Sequence, residues 1–71
     1  MKTVAVVENM YGDYHIYVDK ARFTTHAFKY FAIRKARKLA ATWGLDTEFT
    51  AEPQLTTNGQ WIVPIICWKR A

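Results

Sequence analysis

Two histidines and one cysteine are the groups in this chain best suited to nucleophilic, acid–base or metal chemistry, and their spacing supports none of it. A hydrolase needs a nucleophile beside a base with a third group to orient it, or two carboxylates converging on one bond. His15 is expected opposite Glu8 across a hairpin, an arrangement that serves equally as a solvated cross-strand pair. His26 falls in the first turn of an expected helix, with the same structural reading. His15, His26 and Cys67 show no metal-ligand spacing, and a lone cysteine excludes an intramolecular disulfide and a Cys-rich zinc site. The three glycines are each taken by a turn or a helix end, leaving none for a phosphate-cradling loop. The expectation is therefore a protein that is not an enzyme, uses no metal or cofactor, takes no small-molecule substrate and works by binding a macromolecule.

Charge is segregated along the chain. Lys20, Arg22, Lys29, Arg34, Lys35, Arg37 and Lys38 follow one another with no acid between them, and all six acids lie outside that stretch. On a helix, Lys29, Arg34, Lys35, Arg37 and Lys38 gain nothing from i,i+4 pairing, and Arg34 and Lys38 repel one another. One reading is a polyanion contact in which Arg34, Arg37 and Lys38 meet phosphates, Lys29 and Lys35 reinforce them, and Tyr30 adds an aromatic platform or a hydroxyl. The other is an ordinary solvated face whose cations complement the negative end of the helix dipole. Basic clusters attract acidic protein surfaces as readily as nucleic acid.

A second candidate surface lies on the expected outer side of a sheet. Trp61, Val63, Ile65 and Cys67 alternate away from the helix, and Tyr17, His15 and Val6 join them if two hairpins share one sheet. Tyr17, Trp61, Val63 and Ile65 are the residues expected to form a dimer contact or a second partner surface, because a sheet covered on one face should be polar on the other. A platform for unpaired bases is the competing reading. A register slip at Pro64 would turn half of these residues inward.

The elements that must position these surfaces follow from pattern. Residues 2–9 and 14–20 read as an antiparallel hairpin around Met10-Tyr11-Gly12-Asp13, with Val7 facing Ile16, Ala5 facing Val18, Val6 beside Tyr17 and Glu8 beside His15. Thr24 or Thr25 serves as N-cap of a helix that ends at Trp43-Gly44, where glycine suits the position just past a helix end. Phe28, Ala32, Ala36, Leu39 and Trp43, with Phe31 at the edge, form its apolar stripe, and Tyr30, Arg34, Arg37 and Ala41 lie opposite. Residues 45–52 and 60–69 form a second hairpin around Asn58-Gly59, pairing Phe49 with Trp68, Ala51 with Ile66, Leu55 with Ile62 and Glu48 with Lys69. Pro53 and Pro64 would then face each other, so a bulge or break is expected there. The fold class is α+β, a ββαββ chain with an antiparallel sheet of about four strands and one helix across one face.

Seventy-one residues form one small domain, 1–71, with a single modest core. An apolar fraction of 51% argues against disorder. The apolar run at the N-terminus stops at Glu8 and Asn9, short of a signal peptide, and no stretch is long enough to span a membrane. A lone thiol fits a reducing, cytoplasmic compartment. The expected partner is a nucleic acid or an acidic protein surface, with a homodimer as a further expectation. In size, single domain and helix-on-sheet plan the chain is similar to short phage-encoded inhibitors of host machinery, the anti-CRISPR proteins among them; that likeness is of format and implies a steric blocker of a macromolecular machine as the alternative function.

Overall fold

A computed structural model describes residues 2–50 and 52–71. Its strands are β1 (Thr3–Glu8), β2 (Tyr14–Val18), β3 (Ala21–His26), β4 (Thr47–Phe49), β5 (Gln54–Leu55), β6 (Trp61–Ile62) and β7 (Ile66–Lys69), with one helix, α1 (Lys29–Thr42), between β3 and β4. Five strands form an antiparallel sheet in the order β3-β2-β1-β7-β4, and β5 and β6 form a separate two-stranded sheet. The class is α+β as expected; the strand count and the ββαββ order are corrected.

The first correction is β3. Asp19 and Lys20, at φ +51° and +67°, make a two-residue turn of the kind that requires positive φ at both positions. The chain returns along β2 as Ala21–His26, with one extra residue, Phe23, where the register shifts between Ile16 and Tyr17. Phe23, Thr24 and Thr25 are strand-formers, and pairing along β2 satisfies the backbone groups of that strand's outer edge. Thr24 and Thr25 therefore do not cap the helix. Its N-cap is Phe28, which is extended and carries no capping side chain.

Both hairpins expected from the sequence are shifted by one residue from their expected register, for the same reason. Val4 pairs with Val18, Val6 with Ile16, Val7 with His15 and Glu8 with Tyr14. At the other end Glu48 pairs with Trp68, Phe49 with Cys67, Gln54 with Ile62 and Leu55 with Trp61. Each turn is a three-residue loop whose third position is a left-handed glycine, Gly12 at +86° and Gly59 at +85°. In each, the residue before the loop also bonds across it by side chain: Asn9 Oδ1 accepts from Asp13 N (2.9 Å), and Thr56 Oγ1 accepts from Gln60 N (3.0 Å). A one-residue shift reverses facing partners. Phe49 accordingly lies with Cys67 on the face away from the helix, and Leu55 is exposed while Gln54 is buried. The expected pairing of Ala51 falls on a residue outside those described. The interruption at the prolines is present, since the ladder stops after Phe49 and resumes at Gln54, and stops again between Ile62 and Ile66.

The helix lies across one face of the sheet. Ala32, Ala36 and Ala40 are fully buried against Val4, Val6, Ile16 and Trp68, with Ile33, Leu39 and Trp43 packed at the margin. Alanine at i, i+4 and i+8 lets the helix axis approach the strands closely. The helix ends as expected: Gly44 adopts φ +67°, Gly44 N donates to Ala41 O (3.2 Å) and Leu45 N to Ala40 O (2.9 Å), a Schellman closure that buries Leu45. Phe28 and Phe31 leave the expected stripe, being 66% and 53% exposed. Phe28 is not helical, so its side chain follows no helical wheel.

The opposite face of the sheet is covered by the chain itself. The β5–β6 hairpin folds over it and packs Ile62 on Ala5, Tyr17 and Cys67, with Val7 and Phe49 at the edge. The apolar outer stripe expected to need a partner is thus largely internal.

Candidate nucleic-acid interface

All five helix cations, Lys29, Arg34, Lys35, Arg37 and Lys38, are exposed, as is Tyr30. Lys29, Tyr30, Ile33, Arg34 and Arg37 line one groove along the helix; His26, Phe31, Arg34, Lys35 and Lys38 line another, so Arg34 stands on the ridge between them. Of these five cations only Arg37 approaches a carboxylate of the described residues, at 3.9 Å from Glu48 Oε2, and that oxygen already accepts from Trp68 Nε1 at 3.0 Å. The macrodipole does not account for the cluster. The last helical turn holds no basic residue, the first holds no acid, and Lys29 sits at the positive end of the dipole, where a cation is disfavoured.

Three aromatic rings stand beside these cations. Phe28 and Phe31 meet edge to face at 6.2 Å, and Tyr30 and Phe31 at 5.3 Å, while Tyr30 is 68% exposed. Only Tyr30 was identifiable as an accessible ring from the helical face pattern. A signal for the other two exists: three aromatics in four successive positions, Phe28, Tyr30 and Phe31, cannot share one helix face.

The second expected surface is only partly present. Trp61 and Val63 are exposed, at 71% and 59%, and Leu55 lies across from Trp61 on the outside of the small hairpin. Tyr17 is buried beneath that hairpin, and Ile65 packs against the helix-side core, so neither lies on an open face. Cys67 is buried as well, and its thiol is pushed up to about 11 by burial, against a hydrogen bond from Gln54 Nε2 at 3.3 Å.

The histidines are engaged locally. Glu8 accepts from Tyr14 Oη (2.7 Å), which raises the tyrosine pKa, and does not face His15. His15 bridges two elements: Asn9 Nδ2 lies 3.0 Å from its Nε2 and Thr25 Oγ1 2.8 Å from its Nδ1. Asn9 Oδ1 already accepts from Tyr11 N and Asp13 N, which directs its amide hydrogens to His15, and this contact suits a neutral imidazole with its proton on Nδ1. Desolvation and then the charge of Arg22 lower the His15 pKa, against an opposing effect of Asp13. His26 Nε2 lies 3.3 Å from Thr24 Oγ1. Among the described residues no three His, Cys, Asp or Glu side chains gather as a metal site, and no helix is long and apolar enough to cross a membrane.

Comparison with protein-family models, with curated proteins and with solved structures finds no match for this chain.

Proposed function

We propose that this protein binds nucleic acid through the outer face of α1, with Arg34, Arg37 and Lys38 on phosphates, Lys29 and Lys35 flanking them, and the Phe28–Tyr30–Phe31 cluster stacking on unpaired bases. The supporting observation is the coincidence of exposed, almost wholly uncompensated cations with exposed aromatic rings on one element. Cations supply sequence-independent attraction to the backbone, and rings reward strands whose bases are free to stack. Single-stranded nucleic acid is thus favoured over duplex.

The test is fluorescence anisotropy with labelled single-stranded and duplex oligonucleotides, using the parent chain and a triple variant, Arg34→Glu, Arg37→Glu, Lys38→Glu. Binding should be lost in the variant while its circular dichroism is unchanged. Full retained binding would remove the helix from the mechanism. A pull-down from lysate with and without nuclease separates the alternative, in which the same cations dock on an acidic protein and block a larger machine: capture that survives nuclease favours that reading. Self-association through Trp61 and Val63 is proposed from their exposure beside Leu55, and Trp61→Ser should then lower the mass seen by light scattering.

A further inference from the structure

The run of cations that begins at Lys20 is divided by the fold. Lys20 and Arg22 belong to the β2–β3 turn and the start of β3, where Arg22 pairs with Tyr17, a ring buried on the face opposite the helix. The tip of the β5–β6 hairpin comes down beside them. Together Tyr17, Lys20, Arg22, Thr56, Thr57, Asn58 and Gln60 enclose a mostly polar pocket of about 440 Å³. Thr57 N donates to Lys20 O at 2.9 Å, which ties the hairpin tip to the turn and closes one side.

We propose that this pocket binds a phosphate monoester, with Lys20 and Arg22 as the charged donors.

Its polar groups are sorted for an anion. Neither Lys20 nor Arg22 has a carboxylate partner among the described residues. Asp19, next to Lys20 in the chain, is already used: it accepts from Thr3 N at 2.8 Å and lies 3.5 Å from Lys2 Nζ. Asn58 Oδ1 accepts from Thr56 Oγ1, which leaves the Asn58 amide hydrogens free to donate. Tyr17, 9% exposed, is among the lining residues, and its hydroxyl makes no hydrogen bond among the described residues. Residues that carry a guanidinium, an ammonium, amides and a phenol line one space, and these donors match the acceptor oxygens of a phosphoryl group. The volume falls within the range of small-ligand sites, yet the lining lacks the apolar walls that hold an aromatic base. A compact polar ester, such as a sugar phosphate, suits it better than a stacked nucleotide. Closure on the Thr57 side also favours a terminal phosphate over a through-running diester.

The experiment is a two-dimensional ¹H–¹⁵N NMR titration of the full chain with inorganic phosphate, with ribose 5-phosphate and with an oligonucleotide that lacks a terminal phosphate. Saturable shifts from the first two, confined to residues 17–22 and 56–60, support the proposal. Lys20→Gln with Arg22→Gln should weaken them at least about tenfold, as expected when charge-assisted bonds are removed. Tyr17→Phe, which keeps the ring, should weaken them less. The Arg34, Arg37, Lys38 triple variant should leave them unchanged, so that failure here is distinct from failure of the helix reading. Absence of saturation, equal shifts along α1, or an unaffected double variant would overturn the proposal. Shifts at these residues from the diester oligonucleotide alone would overturn it in favour of a nucleic-acid backbone.

Discussion

Replacing Ala36 by leucine tests the helix orientation on which the cationic face depends. Ala36 has no exposed surface and lies in the alanine stripe that brings α1 down onto Val4, Val6 and Ile16. A larger side chain there must push the helix away or leave its preferred rotamer, at a cost of about 1–3 kcal/mol. A domain of this size holds only about 4–10 kcal/mol of stability, so the loss is a substantial share. Converted at about 4–8 °C per kcal/mol, it lowers Tm by roughly 5–20 °C. Ala41→Leu supplies the control. It makes the same chemical change five residues further on, at an exposed position, and leucine is nearly as good a helix former as alanine, so stability should move by no more than about 0.5 kcal/mol. Thermal unfolding followed by circular dichroism compares the two directly. Equal melting temperatures, or a loss confined to Ala41→Leu, would refute the orientation and with it the claim that Arg34, Arg37 and Lys38 face solvent.

Lys20→Gly should raise Tm, because a left-handed conformation costs a non-glycine residue about 1–2 kcal/mol and glycine's greater chain entropy returns only about 0.5–1; the same variant should lose phosphate affinity, and a lower Tm would contradict the strain. Stability should fall on acidification through the His15 titration. Its folded pKa is lowered, so the unfolded chain binds the proton more readily, and the contribution present above the ordinary histidine value is lost as pH falls through the folded pKa. His15→Gln should flatten that dependence, and a Tm profile of identical slope in both proteins would exclude His15 as its source. Cys67 should resist alkylation in the native state and react on unfolding, since its thiol is buried and held protonated well above neutral pH; rapid native labelling would show the hairpin to be open.

Much of this architecture is local in origin and was legible in the residues. The helix end at Gly44, the two glycine turns, the break at Pro53 and Pro64 and the solvent-facing run Arg34, Lys35, Arg37, Lys38 each follow from a few neighbouring side chains. Backbone permissiveness, missing donors and charge solvation act within a turn or two of where they are written.

What tertiary structure decided is what depends on distant partners. Thr24 and Thr25 carry capping chemistry and strand propensity alike, and only an open edge of β2 draws them into β3. The register of both hairpins turned on whether a glycine closes a three-residue loop or a loop of another length, one residue that reverses every facing pair. Phe28 and Phe31 lost their place in the core when the helix began later and alanines took the sheet contact. Tyr17 and Cys67, apolar on a face that looked open, were covered when the β5–β6 hairpin folded back over the sheet. The same fold-back brought Thr57 and Asn58 against Lys20 and Arg22, residues more than thirty positions apart in the chain. Local sequence carries the preferences of each segment; which surfaces become interior depends on free energy gained only when segments remote in sequence exclude water between them.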